Sequence, residues 1–220
     1  MIRFNNVSVS FDHVPILIDV NLHIKAGEFI SIVGESGVGK TTLLRLIYFD
    51  VFPDKGLVTI DRKNSSEIKK REIPKIRKKI GVVFQDYKLL EDRNVFENVA
   101  FSLEVEGVGK AEIGKRVLRA LADVGLSHKR NDMPHKLSGG EQQRVTFARA
   151  IVKDPLIFLA DEPTGNLDHT AEADIVKMLQ NISARGTAVV LATHNYDLVK
   201  KTGGRIIQVK DGKVSEIENI

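Results

Sequence analysis

The sequence predicts an α/β fold in one domain: a mostly parallel core sheet, an N-terminal antiparallel β-layer and an inserted helical subdomain. Three observations carry this. Four short runs, 29–33, 80–84, 156–160 and 188–192, are apolar almost throughout, as strands are when helices cover both faces of their sheet. The segment 2–9 alternates more, through Ile2, Phe4, Val7 and Val9, and with 21–24 and 58–60 it suggests a separate, partly antiparallel layer. Between Gln85 and Pro155 the apolar spacing becomes helical. This places 86–154 as an insertion between core segments 1–85 and 155–220.

Each element follows from local chemistry. Strand 29–33 runs into a glycine-rich turn and a helix from Lys40. The basic run KKREIPKIRKK at 69–79 reads as a solvated helix around Pro74 leading into strand 80–84; it lacks the interleaved aromatics on which bases stack. Within 111–124, Ile113, Val117, Leu118, Leu121 and Val124 share a helical face. Gly125 and Pro134 then break the chain before a helix that opens at Ser138. Near the end, Asp211-Gly212 between 205–209 and 214–217 signals a hairpin.

Composition narrows the function classes. The 220 residues are 42% hydrophobic and 28% charged, ordinary for a water-soluble domain. No apolar run approaches the roughly 20 residues that cross a bilayer, and residues 1–6 lack the apolar stretch of a secretory signal, so a cytoplasmic location is expected. The absence of cysteine excludes disulfides and thiolate metal sites. A net charge of +4 leans toward anionic partners without choosing among them.

Three motifs carry chemistry. GESGVGKT, residues 34–41, matches G-x-x-x-x-G-K-[ST] at every fixed position. Backbone N–H groups across Gly34, Glu35, Ser36, Gly37, Val38 and Gly39 would wrap phosphates at a helix N-terminus, Lys40 would supply a point charge to the β- and γ-phosphates, and Thr41 a hydroxyl for Mg²⁺. In LIFLADEPTGNLD, residues 156–168, Asp161 follows an apolar strand and could hold Mg²⁺ through water, with Glu162 beside it. LSGGEQQ, residues 137–143, contains Ser138 and Glu141 in capping-box spacing, but Gly139 and Gly140 would weaken a helix's first turn. They would instead admit a phosphate close to the backbone, with the Ser138 hydroxyl as a further donor.

Together these motifs resemble the ATP-binding cassette (ABC) ATPases over nearly the whole chain. The resemblance implies their P-loop NTPase fold, ATP and Mg²⁺ as cofactors, and roles for further residues. Thr42 would contact the α-phosphate, and Phe11 would stack on adenine in preference to joining the core. Gln85 would sense Mg²⁺ and the γ-phosphate at a hinge, Glu162 would polarise the attacking water, and His194 would act as the γ-phosphate switch. Ser138, Gly139, Gly140 and Glu141 would close over ATP bound to a second copy, with Asp168 communicating across a head-to-tail dimer.

Segments 71–85, 86–100 and 161–168 are similar to the cell-division (FtsE-type) branch of that family, whose ATPases pair with an integral membrane protein of the FtsX type to act on cell-wall hydrolases. That implies a peripheral location on the inner face of the cell membrane and no nucleic-acid partner. The alternatives are an ATPase serving lipoprotein release, macrolide export or amino-acid import, or a soluble ribosome- or DNA-associated ABC protein. Departures from the commoner pattern lie at Glu35, Val38, Thr41, 46–50 and Asn195. An apolar cluster of Tyr87, Leu89, Leu90 and Phe96 either accepts a partner's helix, with Glu97 as a neighbouring probe, or packs the lobe's own core.

Overall fold

A computed structural model describes residues 1–165 and 167–218; Asn166, within the DEPTGNLD segment, lies outside the described residues. The N-terminal third contains β1 (Ile2–Phe11), β2 (Val14–Ile24), β3 (Phe29–Val33), α1 (Lys40–Ile47), β4 (Lys55–Ile60), β5 (Lys63–Asn64), α2 (Ile73–Arg77) and β6 (Ile80–Val83). Then follow α3 (Val95–Glu104), α4 (Lys110–Asp123), α5 (Gly139–Ile151), β7 (Ile157–Asp161), α6 (His169–Ala184), β8 (Ala188–Thr193), α7 (Tyr196–Thr202), β9 (Arg205–Lys210) and β10 (Lys213–Ile217).

The two strand chemistries separate into two sheets. The alternating strands make an antiparallel sheet in the order β2-β1-β4-β5. The continuously apolar strands make the core sheet, ordered β10-β9-β3-β8-β7-β6, parallel except for β10. Because successive side chains point to opposite faces, β7 feeds two cores: Ile157 and Leu159 face the antiparallel sheet and α1, whereas Phe158 and Ala160 face the helices. The helical core continues from this sheet face into α3, α4 and α5, so the insertion shares its interior with the sheet.

Boundaries shift in ways that matter. β7 begins at Ile157, leaving Leu156 exposed, and ends at Asp161, so that carboxylate is carried by the strand itself. β2 starts at Val14, seven residues and a bulged register before the expected segment 21–24. The C-terminal hairpin is not peripheral: β9 pairs in parallel with β3. Three hairpins turn through two residues of positive φ, at Asp12-His13, Asp61-Arg62 and Asp211-Gly212, and only the last contains the glycine that announces such a turn. The basic run becomes a 3₁₀ turn, Lys70–Glu72, followed by α2 with Pro74 in its first turn.

Candidate functional site

The turn after β3 is built on two glycines that nothing else could replace. A Cβ on Gly34 (φ 156) would sit 2.5 Å from the Val209 carbonyl oxygen of β9, and Gly39 caps α1 at φ 112 with Ile16 and Leu17 crowding the same spot. The backbone is thereby held so that the first turn of α1 points its N–H groups into an open cavity of about 230 Å³. That cavity brings together Phe11, Ser36, Gly37, Gly39, Lys40, Thr41, Thr42, Gln85, Asp161 and Glu162, residues drawn from four separate stretches of the sequence. Phe11 ends β1 with 41% of its surface exposed, so it is a rim residue and not part of the core.

Lys40 is buried, and its Nζ donates to the carbonyls of Gly34 (2.8 Å) and Glu35 (2.9 Å) while lying 3.5 Å from Glu162 Oε1. Glu162 leaves β7 in the left-handed region (φ 45), a conformation that is costly for a residue with a Cβ; its N–H donates to the Ala192 carbonyl at 2.8 Å. Its carboxylate is clamped from both sides. Oε2 accepts from Thr193 Oγ1 at 2.9 Å; Oε1 accepts from the His194 N–H at 3.0 Å and lies 2.8 Å from His194 Nδ1. Sequence reasoning brought Glu162 and His194 into one site but passed over Thr193, whose only signal is a hydroxyl at the end of an otherwise apolar strand.

Asp161 tests whether a cation fits. It is 9% exposed, and its Oδ1 has no hydrogen-bond partner among the described residues, a buried oxygen that a hard cation would satisfy. Burial raises its pKa above the ordinary carboxylate range, against the opposing pull of the Thr41 hydroxyl. An oxygen donor set of Thr41, Asp161 and Gln85 suits Mg²⁺.

Ser138, Gly139, Gly140 and Asp168 line a second cavity, and no residue is shared with the first. The capping box is real: Ser138 Oγ accepts from the Glu141 N–H at 3.2 Å, and Glu141 Oε2 accepts from the Ser138 N–H at 2.8 Å. That bond from the Ser138 N–H holds the Glu141 carboxyl below its usual range. Gly140 also has an internal reason to be glycine, since a Cβ there would stand 2.9 Å from the Ala171 Cβ of α6. Asp168 caps α6 through Ala171 N–H at 2.8 Å. Beyond the expected residues, buried Gln143 donates from Nε2 to the Pro163 carbonyl at 2.7 Å, tying α5 to the residue after Glu162.

Leu89 and Phe96 pack against the lobe's core, and Leu90 is pinned through both N–H and C=O to buried Asn98. Glu97 closes a capping box with Asn94 at the start of α3. The open surface nearby is instead a groove of about 350 Å³ between the sheet edge and the lobe, with Tyr48, Phe84 and Phe101 on its walls and Arg77, Arg149 and Lys153 among them.

A profile describing ABC transporters matches residues 17–165. The chain belongs to the ABC transporter family. The cell-division ATP-binding protein FtsE of Bacillus subtilis (strain 168) is 47% identical to it over 220 residues, covering 100% of this chain and 96% of that protein. FtsE of Escherichia coli (strain K12) is 41% identical over 213 residues, 96% of each chain. A dimeric bacterial ABC transporter cassette superposes with a TM-score of 0.89 at 37% identity, each chain covered completely, and its post-hydrolysis state was solved bound to ADP and Pi. This ABC ATPase is therefore of the FtsE type.

Proposed function

We propose that the chain is the ATP-hydrolysing subunit of an FtsE–FtsX-type membrane complex, working as a head-to-tail dimer that traps ATP between two copies. The observation that carries this is the division of the phosphate-binding groups between two cavities with no residue in common. One copy presents Lys40, Thr41 and Glu162; a second copy would present Ser138, Gly139 and Gly140 to the same phosphates. Glu141 serves the cap and supports that surface from behind.

Mg²⁺ held by Thr41, Asp161 and Gln85 would neutralise charge on the β- and γ-phosphates. The protein's own groups do the rest. Lys40 and His194, both engaged with Glu162, are the groups placed to turn to the γ-phosphate. Their departure leaves Glu162 held through Thr193 and the His194 N–H, oriented to take a proton from water. Phe11 offers its ring face to adenine from the rim.

Coupling to the membrane is assigned to the groove. Burial lowers the pKa of both Arg149 and Lys153, and no carboxylate pairs with either among the described residues. Their donors go to backbone carbonyls: Arg149 to Tyr87 and Lys88, Lys153 to Arg77 and Ile80. A partner helix carrying apolar side chains and an acidic residue suits such a wall. No helix of the described residues is long and apolar enough to cross a membrane.

The test is affinity capture of the Glu162→Gln variant with ATP from gently solubilised membranes. Recovery of an FtsX-like membrane protein is the expected result. A solute permease or lipoprotein-release subunit would move the chain to transport, and ribosomes or DNA-bound proteins would overturn the membrane reading.

A further inference from the structure

The basic run 69–79 is left without a task by the nucleotide site. It holds seven Lys or Arg against one Glu, a net charge of +6, whereas the whole chain is +4; everything outside these eleven residues is net acidic. The charge is therefore concentrated in one place, not spread as a general solubilising coat. Lys69, Lys70, Arg71, Lys75 and Lys78 are exposed and have no carboxylate partner among the described residues, while Arg77 and Lys79 are tied down by Asp50 and Asp61. Pro74 and the short α2 fix the run as a rigid outcrop.

Its flanks are apolar. Arg77 donates to the carbonyls of Tyr48 and Phe49, and that loop exposes Phe52, 42% accessible and stacked on Phe49 at 5.9 Å. On the other side the Leu156 N–H donates to the Lys79 carbonyl at 2.9 Å, and the Leu156 side chain is 47% exposed. Cations framed by exposed apolar side chains suit an interface of charged headgroups over acyl chains. The run itself offers no aromatic on which a base could stack. Arg77 and Ile80 also line the groove, and Lys78 Nζ reaches across to the Glu106 carbonyl, so the patch is continuous with the groove wall.

We propose that this patch binds the anionic phospholipid surface beside the membrane partner, holding the ATPase against the bilayer by its 69–79 face. Its orientation rests on the groove reading; its chemistry does not. Each basic side chain near an anionic surface contributes about a fivefold gain in partitioning, within a screening distance of roughly 10 Å at moderate salt.

The test is sedimentation of the full chain with vesicles of phosphatidylcholine alone or with 30% (about a third) phosphatidylglycerol. Binding is expected only to the anionic vesicles and lost in concentrated salt. The variant Lys69→Gln, Lys70→Gln, Arg71→Gln, Lys75→Gln should bind roughly several hundredfold more weakly. A control with equal charge change on other exposed positions, Lys110→Gln, Lys115→Gln, Arg119→Gln, Lys177→Gln, should bind like the parent. Unchanged ATPase activity of both certifies their fold. Equal loss in both variants, or no binding of anionic vesicles by the parent, overturns the proposal. So does loss of single-stranded RNA binding by the patch variant with vesicle binding untouched, which would make this a nucleic-acid surface. The vesicles contain no partner protein, so failure here leaves membrane capture by Glu162→Gln unaffected, and failure of that capture leaves vesicle binding standing.

Discussion

Thr193→Val removes one hydroxyl and little else. The side chain is fully buried at the end of β8, and valine keeps its branching, so the strand's packing survives. What is lost is the 2.9 Å bond to Glu162 Oε2 and the acceptor for the Asn195 N–H at 3.0 Å. A hydrogen bond to an ionised group is worth about 1.5–3 kcal/mol. Once the Lys40 and His194 side chains turn to the γ-phosphate as proposed, Glu162 Oε1 keeps only its bond from the His194 N–H, so the carboxylate stays in place but can rotate about that single tether. If the bond serves orientation in the transition state, the whole of it appears in kcat, a fall of roughly 10- to 150-fold, with KM for ATP little changed. The unpaired Asn195 N–H should separately cost about 1–3 kcal/mol of folding stability. Steady-state ATP hydrolysis at saturating nucleotide reads the first effect, and urea denaturation reads the second. Thr193→Ser retains the hydroxyl and should recover most of the turnover. Turnover of Thr193→Val within twofold of the parent, in a sample where Glu162→Gln is inactive, would refute the positioning argument.

Glu162→Gln should bind ATP at least as tightly as the parent, since a negative charge 3.5 Å from Lys40 is removed, and should accumulate ATP-bound dimers visible by size-exclusion light scattering. Lys40→Ala should abolish measurable ATP binding by calorimetry, because it removes the only buried cation lining the cradle among the described residues. Gly81→Ala places a Cβ 2.7 Å from the Ala150 carbonyl, where β6 meets α5; about 1–3 kcal/mol of stability should be lost, read from the denaturation midpoint. Arg149→Met should weaken recovery of the membrane partner at least tenfold while leaving ATP affinity unchanged, as measured by capture from solubilised membranes and by calorimetry.

What the sequence revealed and withheld divides along physical lines. The buried parallel strands were legible because burial on both faces leaves an apolar run that solvent-exposed elements cannot imitate, as at 29–33 and 188–192. The glycine-rich turn before α1 was legible because Gly34 and Gly39 occupy backbone states and clearances that only glycine tolerates. The β1–β2 hairpin was not, since Asp12 and His13 adopt positive φ without the glycine that marks such turns. Nor was the place of β9 beside β3, because pairing partners are not written in a strand's own composition. Thr193 and Gln143 were missed for the same reason. Each acts through one bond to a group about twenty or thirty residues away in sequence. The cluster at Tyr87, Leu89, Leu90 and Phe96 showed the limit of reading apolar residues as a surface: Leu89 and Phe96 face inward.

On the function proposed above, the signature helix α5 would couple a membrane partner to a distant nucleotide. α5 is 13 residues long, roughly 20 Å, and its ends belong to different sites. Ser138 at the N-terminus lines the second cavity, whereas Arg149 near the C-terminus lies in the groove and donates to the Tyr87 and Lys88 carbonyls just after Gln85. Midway, Gln143 holds the Pro163 carbonyl beside Glu162. The helix cannot slide independently of the sheet edge, because Gly81 brings the β6 backbone against the Ala150 carbonyl with no room for a methyl group. On the function proposed above, a push at the groove would be delivered as a tilt of the whole helix, and the same tilt would move Ser138 relative to an opposing nucleotide and Pro163 relative to the attacking water. Conversely, on the same proposal, closure of the dimer on ATP would load Ser138 and reposition Arg149. Coupling in both directions requires only that this one helix have two packings of similar energy, one for the open groove and one for the closed dimer.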